Sequence, residues 1–302
     1  MEIHRNDLRN RRWGLILAGG DGKRLLPLTR TISGDDRPKQ FCALLGNETL
    51  LRRTRRRISQ SVRPSRTFLV LTRKHEYFYR DQVARIPRSR LLIQPSNQGT
   101  APAILYSLMH LRKLDAEGLI AFFPSDHHFL DDEAFAIHIE SAFLTAASRP
   151  ETIVLLGVTP DTPEVDYGWI EPGIALDKLK SGSVYRVSRF WEKPSGMLAS
   201  DLMDRGCLWN TFIMVGHVQA FLNLIHSAAP KLMEAFESIG PSFATASETS
   251  ALCDLYNGIS AMNFSQEVLS AQSQKLAVLH CAGLRWSDLG EPSRVLSVLN
   301  GL

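Results

Sequence analysis

Cysteine is scarce in this 302-residue chain, and Cys42, Cys207, Cys253 and Cys281 are scattered with no CxxC pair. That argues against a cysteine zinc site and a disulfide framework, and fits reduced thiols in a cytoplasmic protein. No apolar run reaches membrane-spanning length. Excess charge is also missing: 35 basic against 31 acidic residues leave a formal +4. This is too mild to imply nucleic acid, though it suits anionic substrates. Repeats, low-complexity tracts and Pro/Gly/Ser linkers are absent, so a single domain over 1–302 is expected, with a smaller inserted or appended lobe. The opening "MEIHRNDLRNRRWGLILAGG" imitates an export signal. Its apolar part is brief, however, and runs into "DGKR" instead of a small-residue cleavage site, so it reads as a first β-strand.

What is present is a succession of short, unbroken apolar runs: "GLILAG" near 14, "TFLVLT" at 67–72, "RLLIQP" at 90–95, "GLIAFFPSD" at 118–126 and "TIVLLGV" at 152–158. Continuous runs of this kind suit strands covered on both faces. Helical spacing fills 48–61, 75–85, 101–116 and 132–147 between them. The alternation predicts an α/β, Rossmann-like fold with a mostly parallel mixed sheet flanked by helices. Further on, "SVYRVSRFWEKP", "CLWNTFIMVG" and "KLAVLHC" read as strands, and 217–229, 248–260 and 292–299 as helices. Ligands of open α/β sheets gather beyond the carboxyl ends of the strands, which is where "GGDGKR", "QPSNQGTAP", "PSDHH" and "EKP" fall.

The first of these loops is the sharpest signal. Gly19, Gly20 and Gly22 can adopt dihedrals closed to other residues and bring backbone N–H groups close to a ligand. With Lys23 and Arg24 attached, the loop is either a phosphate cradle or an ordinary glycine-rich turn with solvated cations. It is neither a dinucleotide fingerprint, since it lacks the third spaced glycine, nor a P-loop, since Arg24 follows Lys23 and the glycines lie too close. "LRRTRRRISQ" at 51–60 carries five arginines on a helix with Leu50, Leu51, Thr54 and Ile58 as an apolar stripe, and reads as a solvated basic face.

"LAGGDGKRLLPLTR" followed by "RPKQF" resembles the signature of sugar-phosphate nucleotidyltransferases. "TAPAI", "PSDH", "YGWIEPG", "FWEKP", "LWN" and "WSDLG" follow in the order of the mannose-1-phosphate guanylyltransferase branch, so the resemblance spans nearly the whole chain. It implies a glycosyltransferase-A-like nucleotidyltransferase domain without a C-terminal β-helix or cupin extension. It further implies transfer of a nucleotidyl group from a nucleoside triphosphate, GTP foremost, to a sugar 1-phosphate, mannose 1-phosphate foremost. The products are a nucleotide sugar and pyrophosphate. Mg²⁺ is the implied cofactor and a homodimer the implied assembly, with no nucleic-acid or membrane partner. Glucose 1-phosphate with another triphosphate is the alternative pair, and a non-catalytic nucleotide-sugar-binding regulator the alternative of another class.

The same resemblance distributes roles. Arg24, Lys39 and Asp126 are the catalytic residues. Leu17, Ala18, Gly19, Gly20, Gly22, Gln94, Thr100 and Pro102, with Ala103, would hold the nucleotide. Gly168, Glu171, Glu192, Lys193 and Asn210 would hold the sugar phosphate, and Asp126 with Asp288 the Mg²⁺. By their residue types alone, Asp126 could equally be a helix N-cap, Asp288 a turn residue and Thr100 the N-cap of its helix. His127 and His128 do not make a zinc pair, because neighbours on a strand face opposite ways. Three stretches depart from the family pattern. Phe212 stands where relatives often have glycine, "NFS" at 263–265 replaces "SID", and "QPSNQGTAP" lacks the Arg and Asn that flank the base elsewhere.

Overall fold

The computed structural model describes residues 10–301; the first nine residues, on which the reading of the basic opening partly rests, lie outside them. Eleven strands are described: β1 (Arg12–Leu17), β2 (Thr67–Thr72), β3 (Leu91–Gln94), β4 (Leu119–Pro124), β5 (His128–Phe129), β6 (Ile153–Val158), β7 (Gly168–Leu179), β8 (Gly182–Glu192), β9 (Leu208–His217), β10 (Leu276–His280) and β11 (Trp286–Ser287). The helices of eight residues or more are α1 (Leu26–Ser33), α2 (Leu50–Ile58), α3 (Glu76–Val83), α4 (Thr100–Leu114), α5 (Asp132–Ser148), α6 (Gly196–Asp204), α7 (Val218–Ala228), α8 (Pro230–Ser238), α9 (Glu248–Gly258) and α10 (Pro292–Leu299). Every strand and helix expected from the apolar pattern is present. The pattern did not disclose α1, α6, α8, the long strand β7 or the two-residue strands.

Nine strands form one sheet in the order β3-β2-β1-β4-β9-β6-β10-β8-β7, with β9 also pairing β7. Only β8 and β9 run against the rest, so the sheet is mixed but mostly parallel. Strands β7, β8 and β9 belong to this same sheet. Successive residues of the central strands feed opposite faces, as the period of two requires. Leu15, Val70 and Phe122 enter one core with residues of α4, α7, α8 and α9. Ile16, Leu71 and Phe123 enter the other with residues of α2, α3 and α5. Among the described residues no helix is long and apolar enough to cross a membrane.

The basic helix α2 corrects the expectation of a solvated face. Its apolar stripe is buried as expected, but so is Arg57, whose Nε donates to Asp132 Oδ1 at 2.6 Å while its guanidinium lies over Phe129 and Phe135. Arg53 and Arg55 donate to the carbonyls of Leu45 and Gln82. These arginines tie α2 to its surroundings. Thr54 Oγ1 then reaches the Ser125 carbonyl at 3.1 Å, fixing the turn that leads to Asp126.

Candidate active site

Strands β1, β2, β3 and β4 are parallel, with Leu17 beside both Val70 and Pro124, and Thr72 beside Gln94. Their carboxyl ends therefore open on a common cleft. There a cavity of about 580 Å³ is lined by Leu17, Gly19, Gly20, Gly22, Gln94, Thr100, Ala103, Asp126 and Phe212, with residues of the 261–267 segment opposite. Seven of the sequence-assigned positions are thus brought together, Ala103 among them, and Asp126 joins them from β4. Ala18 and Pro102 are not in that lining. Ala18 is fully buried, its N–H on the Val70 carbonyl, and Pro102 turns into the α4 core.

The shape of the glycine loop has a cause. Gln40 Nε2 donates to the carbonyls of Ala18 (3.1 Å) and Gly20 (2.7 Å), and Thr72 Oγ1 donates to that of Gly19 (2.9 Å). With three successive carbonyls engaged by side chains, the loop turns its oxygens into the protein. That orientation suits a nest for anions. Gly22 sits at φ +60, and a Cβ on Gly19 would fall 2.8 Å from both Gln94 Nε2 and Thr72 Oγ1. Gln40 is a site residue that sequence reading missed. It lies inside "PKQF", and its 2% exposure is the burial of a polar group with two fixed partners. Thr100 is not an N-cap: Gly99 holds that position, and Thr100 Oγ1 accepts from the Phe264 N–H at 2.8 Å. The Met262 carbonyl takes the Ala101 N–H at 3.1 Å.

Asp126 and Asp288 lie 162 positions apart, yet strands β5 and β11 bring their segments side by side, pairing Ser287 with His128 and Trp286 with Phe129. Lys39 joins the two. Its Nζ lies 3.2 Å from Asp126 Oδ2 and donates to the carbonyls of Asp288 (2.6 Å) and Leu289 (3.1 Å). The ammonium expected to meet phosphate thus engages three protein oxygens. Asp288 Oδ1 accepts from Arg294 Nη1 (2.8 Å), Tyr167 Oη (3.0 Å) and the Gly290 N–H (2.8 Å). Burial would raise the Asp288 pKa, but His127, Lys39 and Arg294 outweigh it and hold the carboxyl below its usual range. His127 is pushed down by burial and accepts from Trp286 Nε1 at 3.2 Å, as a neutral ring can. His128 faces the other way, toward Arg53, Arg57 and Asp132.

Among the residues expected to hold the sugar phosphate, β7 pairs Gly168 with Glu192 of β8, and a Cβ on Gly168 would meet Glu192 Oε2 at 2.9 Å and the Asn210 Cβ at 3.3 Å. Gly168, Glu192 and Asn210 therefore form one cluster, in which burial raises the Glu192 pKa. The register between β6 and β9 slips at this point, from Leu155 opposite Met214 to Gly157 opposite Asn210. Within the bulge Phe212 takes φ +59, a conformation in which glycine is at ease and phenylalanine is strained; the Asn210 side chain accepts its N–H at 3.1 Å. Lys193 follows the cluster at φ +49, exposed. Glu171 is engaged by Arg205 instead. Arg24 is half exposed and bonded to Asp166 Oδ2 at 2.6 Å, outside the cavity lining.

Residues 13–302 match the family model described as nucleotidyl transferase. The chain is 32% identical over 223 residues to the alginate biosynthesis protein AlgA of Pseudomonas syringae pv. tomato, covering 73% of this chain and 44% of that protein. It is 32% identical over 202 residues to a mannose-1-phosphate guanylyltransferase of Salmonella montevideo, covering 65% and 41%. A solved structure described as mannose-1-phosphate geranyltransferase from Thermus thermophilus superposes with a TM-score of 0.79 at 29% identity, covering 93% of this chain and 76% of that one. The chain spans about half the length of the curated relatives it matches. A match over nearly all of its length, with the glycine loop and both aspartates inside the matched region, places the chain in the nucleotidyl transferase family.

Proposed function

We propose that this protein joins a nucleoside triphosphate to a sugar 1-phosphate, with GTP and mannose 1-phosphate as the leading pair, giving GDP-mannose and pyrophosphate. The observation that carries the reading is the carbonyl-anchored glycine loop and Asp126 on one cavity, with Lys39 bridging beside it from the Asp126 carboxylate to the backbone carbonyl of Asp288. In the reaction, a phosphate oxygen of the sugar 1-phosphate attacks the α-phosphorus, and the bond to pyrophosphate breaks. The attacking group is already an anion, so no general base is needed. The work is to align two polyanions and to stabilise the charge that shifts onto the leaving group.

The donor chemistry of Asp126 and Asp288 suits a magnesium ion. Among the described residues no group of three His, Cys, Asp or Glu side chains forms a closed metal cage. Two carboxylates beside a cleft are the donor set this cation accepts when phosphate and water oxygens complete its shell. Asp126 and Asp288 would hold it, and when bound it would neutralise phosphate charge. The chain's own contribution is positional. Gly19, Gly20 and Gly22 receive the triphosphate, and Gln40 and Thr72 keep the loop in that shape. Gly168, Glu192 and Asn210 orient the sugar, and Lys193 and Arg24 supply positive charge at the rim. A different substrate pair is the second reading, favoured by Phe212, which lines the cavity from a strained backbone where relatives often have glycine.

Pyrophosphate release from a matrix of triphosphates against sugar 1-phosphates tests both readings. Turnover confined to GTP and mannose 1-phosphate supports the first, and another preferred pair the second. Nucleotide-sugar binding without turnover would make the protein a non-catalytic relative.

A further inference from the structure

One carboxylate oxygen serves two arginines. Asp166 Oδ2 lies 2.6 Å from Arg24 Nη1 and 3.8 Å from Arg294 Nη2. Arg24 comes from the segment that follows the glycine loop, Asp166 from the turn before β7, and Arg294 from the first turn of α10. Arg294 is the inner member, only 14% exposed, with its guanidinium 4.5 Å over the Tyr167 ring. Its Nη2 donates to Glu164 Oε2 at 2.5 Å and its Nη1 to Asp288 Oδ1 at 2.8 Å. A continuous path of charge therefore runs from Arg24 through Asp166 and Arg294 to Asp288.

We propose that Asp166 is a positioning residue: it parks Arg24 while the cleft holds no nucleotide, and when the triphosphate takes Arg24 away it draws Arg294 off Asp288. The inference rests on the nucleotidyltransferase reading above. Arg24 is half exposed, so its ion pair is of the weak, screened kind that a polyanion can outbid. Once Arg24 leaves, the Asp166 carboxylate has lost its near cation, and Arg294 is the next one within reach. Arg294 divides its donors between Glu164 and Asp288, and a turn toward Asp166 loosens the bond to Asp288 Oδ1. The carboxylate then loses its charged donor, keeping those from Tyr167 and Gly290, as the nucleotide arrives. Asp166 and Arg294 thus act through other residues and need not touch substrate.

The test is calorimetric titration of the full chain with the triphosphate that supports pyrophosphate release, in EDTA and then with Mn²⁺, for wild type and Asp166→Asn, Asp166→Glu and Asp161→Asn. In EDTA, Asp166→Asn should bind the triphosphate about two- to fivefold more tightly, the worth of one exposed ion pair. Asp166→Glu, which keeps the charge, should restore the wild-type value. Asp161→Asn removes a charge from the same loop, where Asp161 is bonded to Thr162, and should leave the affinity unchanged. With nucleotide present, Asp166→Asn should bind Mn²⁺ more weakly and turn over more slowly despite the tighter nucleotide. Unchanged or weaker triphosphate binding in Asp166→Asn overturns the parking role, and equal tightening in Asp161→Asn reduces it to net charge. Unaltered Mn²⁺ binding overturns the hand-over to Arg294. A wild-type protein that binds no triphosphate overturns the functional reading itself, and this proposal with it.

Discussion

At the scale of single residues, the site depends on groups with no substitute nearby. Asp126→Ala removes the carboxylate that closes the cleft beside the glycine loop. It should cut pyrophosphate release by roughly 10²–10³-fold or more, the scale on which preorganised charge acts, with the circular dichroism spectrum unchanged. Asp288→Asn keeps the shape of the braced side chain and should fail to a similar degree; near-normal rates in either variant would remove the metal assignment. Gly19→Ala is a steric test. Its methyl would fall 2.8 Å from two buried polar atoms, so Gln94 or Thr72 must move. A loss of about 1–3 kcal/mol in urea unfolding, of the size overpacking brings, should accompany weaker nucleotide binding. Phe212 was legible as a departure from the family spelling. Its positive φ was not, because it follows from a β-bulge that no local pattern announces.

At the scale of elements, the strands covered on both faces were read almost to the residue because they write continuous apolar runs, whereas β7, largely exposed beyond Ile170, was not read as a strand. The arginines of α2 were misread because charge in a sequence looks solvated until its partner is known, and Asp132 and Phe135 lie 75 and more residues away. Arg57→Ala should therefore cost about 1–3 kcal/mol in denaturant unfolding, since it removes the buried partner of Asp132 and leaves that carboxylate to Arg56 Nη1 alone at 3.1 Å, whereas the exposed Arg56→Ala should cost about 1 kcal/mol or less. Helix α9 offers a pH test through Glu248, its first residue. Burial pushes that carboxyl upward, but hydrogen bonds with His110 and from Tyr106 hold it down at about 2, against an ordinary 4.5. The sign follows: the lowered native pKa stabilises the fold above pH 4.5, and that stability drains away as pH falls toward 2. Glu248→Gln should flatten this part of the acid limb when unfolding free energy is followed against pH. A limb as steep as wild type would place the acid sensitivity elsewhere.

At the scale of the whole molecule, the proposed nucleotide and sugar residues flank one sheet, so occupancy of the cleft should be felt by the entire cooperative unit. Triphosphate at about 100 times its Kd should add about 2.7 kcal/mol to stability. By the usual unfolding entropy per residue, that is a rise of about 4 °C in the melting temperature. A melt that shifts in only one of two transitions would divide the chain into separate units. Which loops meet was readable from the carboxyl-end rule. How they are held was not, since Gln40, Arg294 and Tyr167 act through distant partners that leave no local periodicity.

The two-residue ladder between β5 and β11 carries a temporal implication. Its first strand leaves the ribosome well ahead of the sugar-side strands, and its second only after all nine strands of the main sheet have been made. Until Trp286 emerges, a nascent chain has a complete glycine loop and half of its acidic pair. Catalytic competence would then arrive abruptly with that late stretch, and a protein cut just before Trp286 would be folded over most of its length and inert.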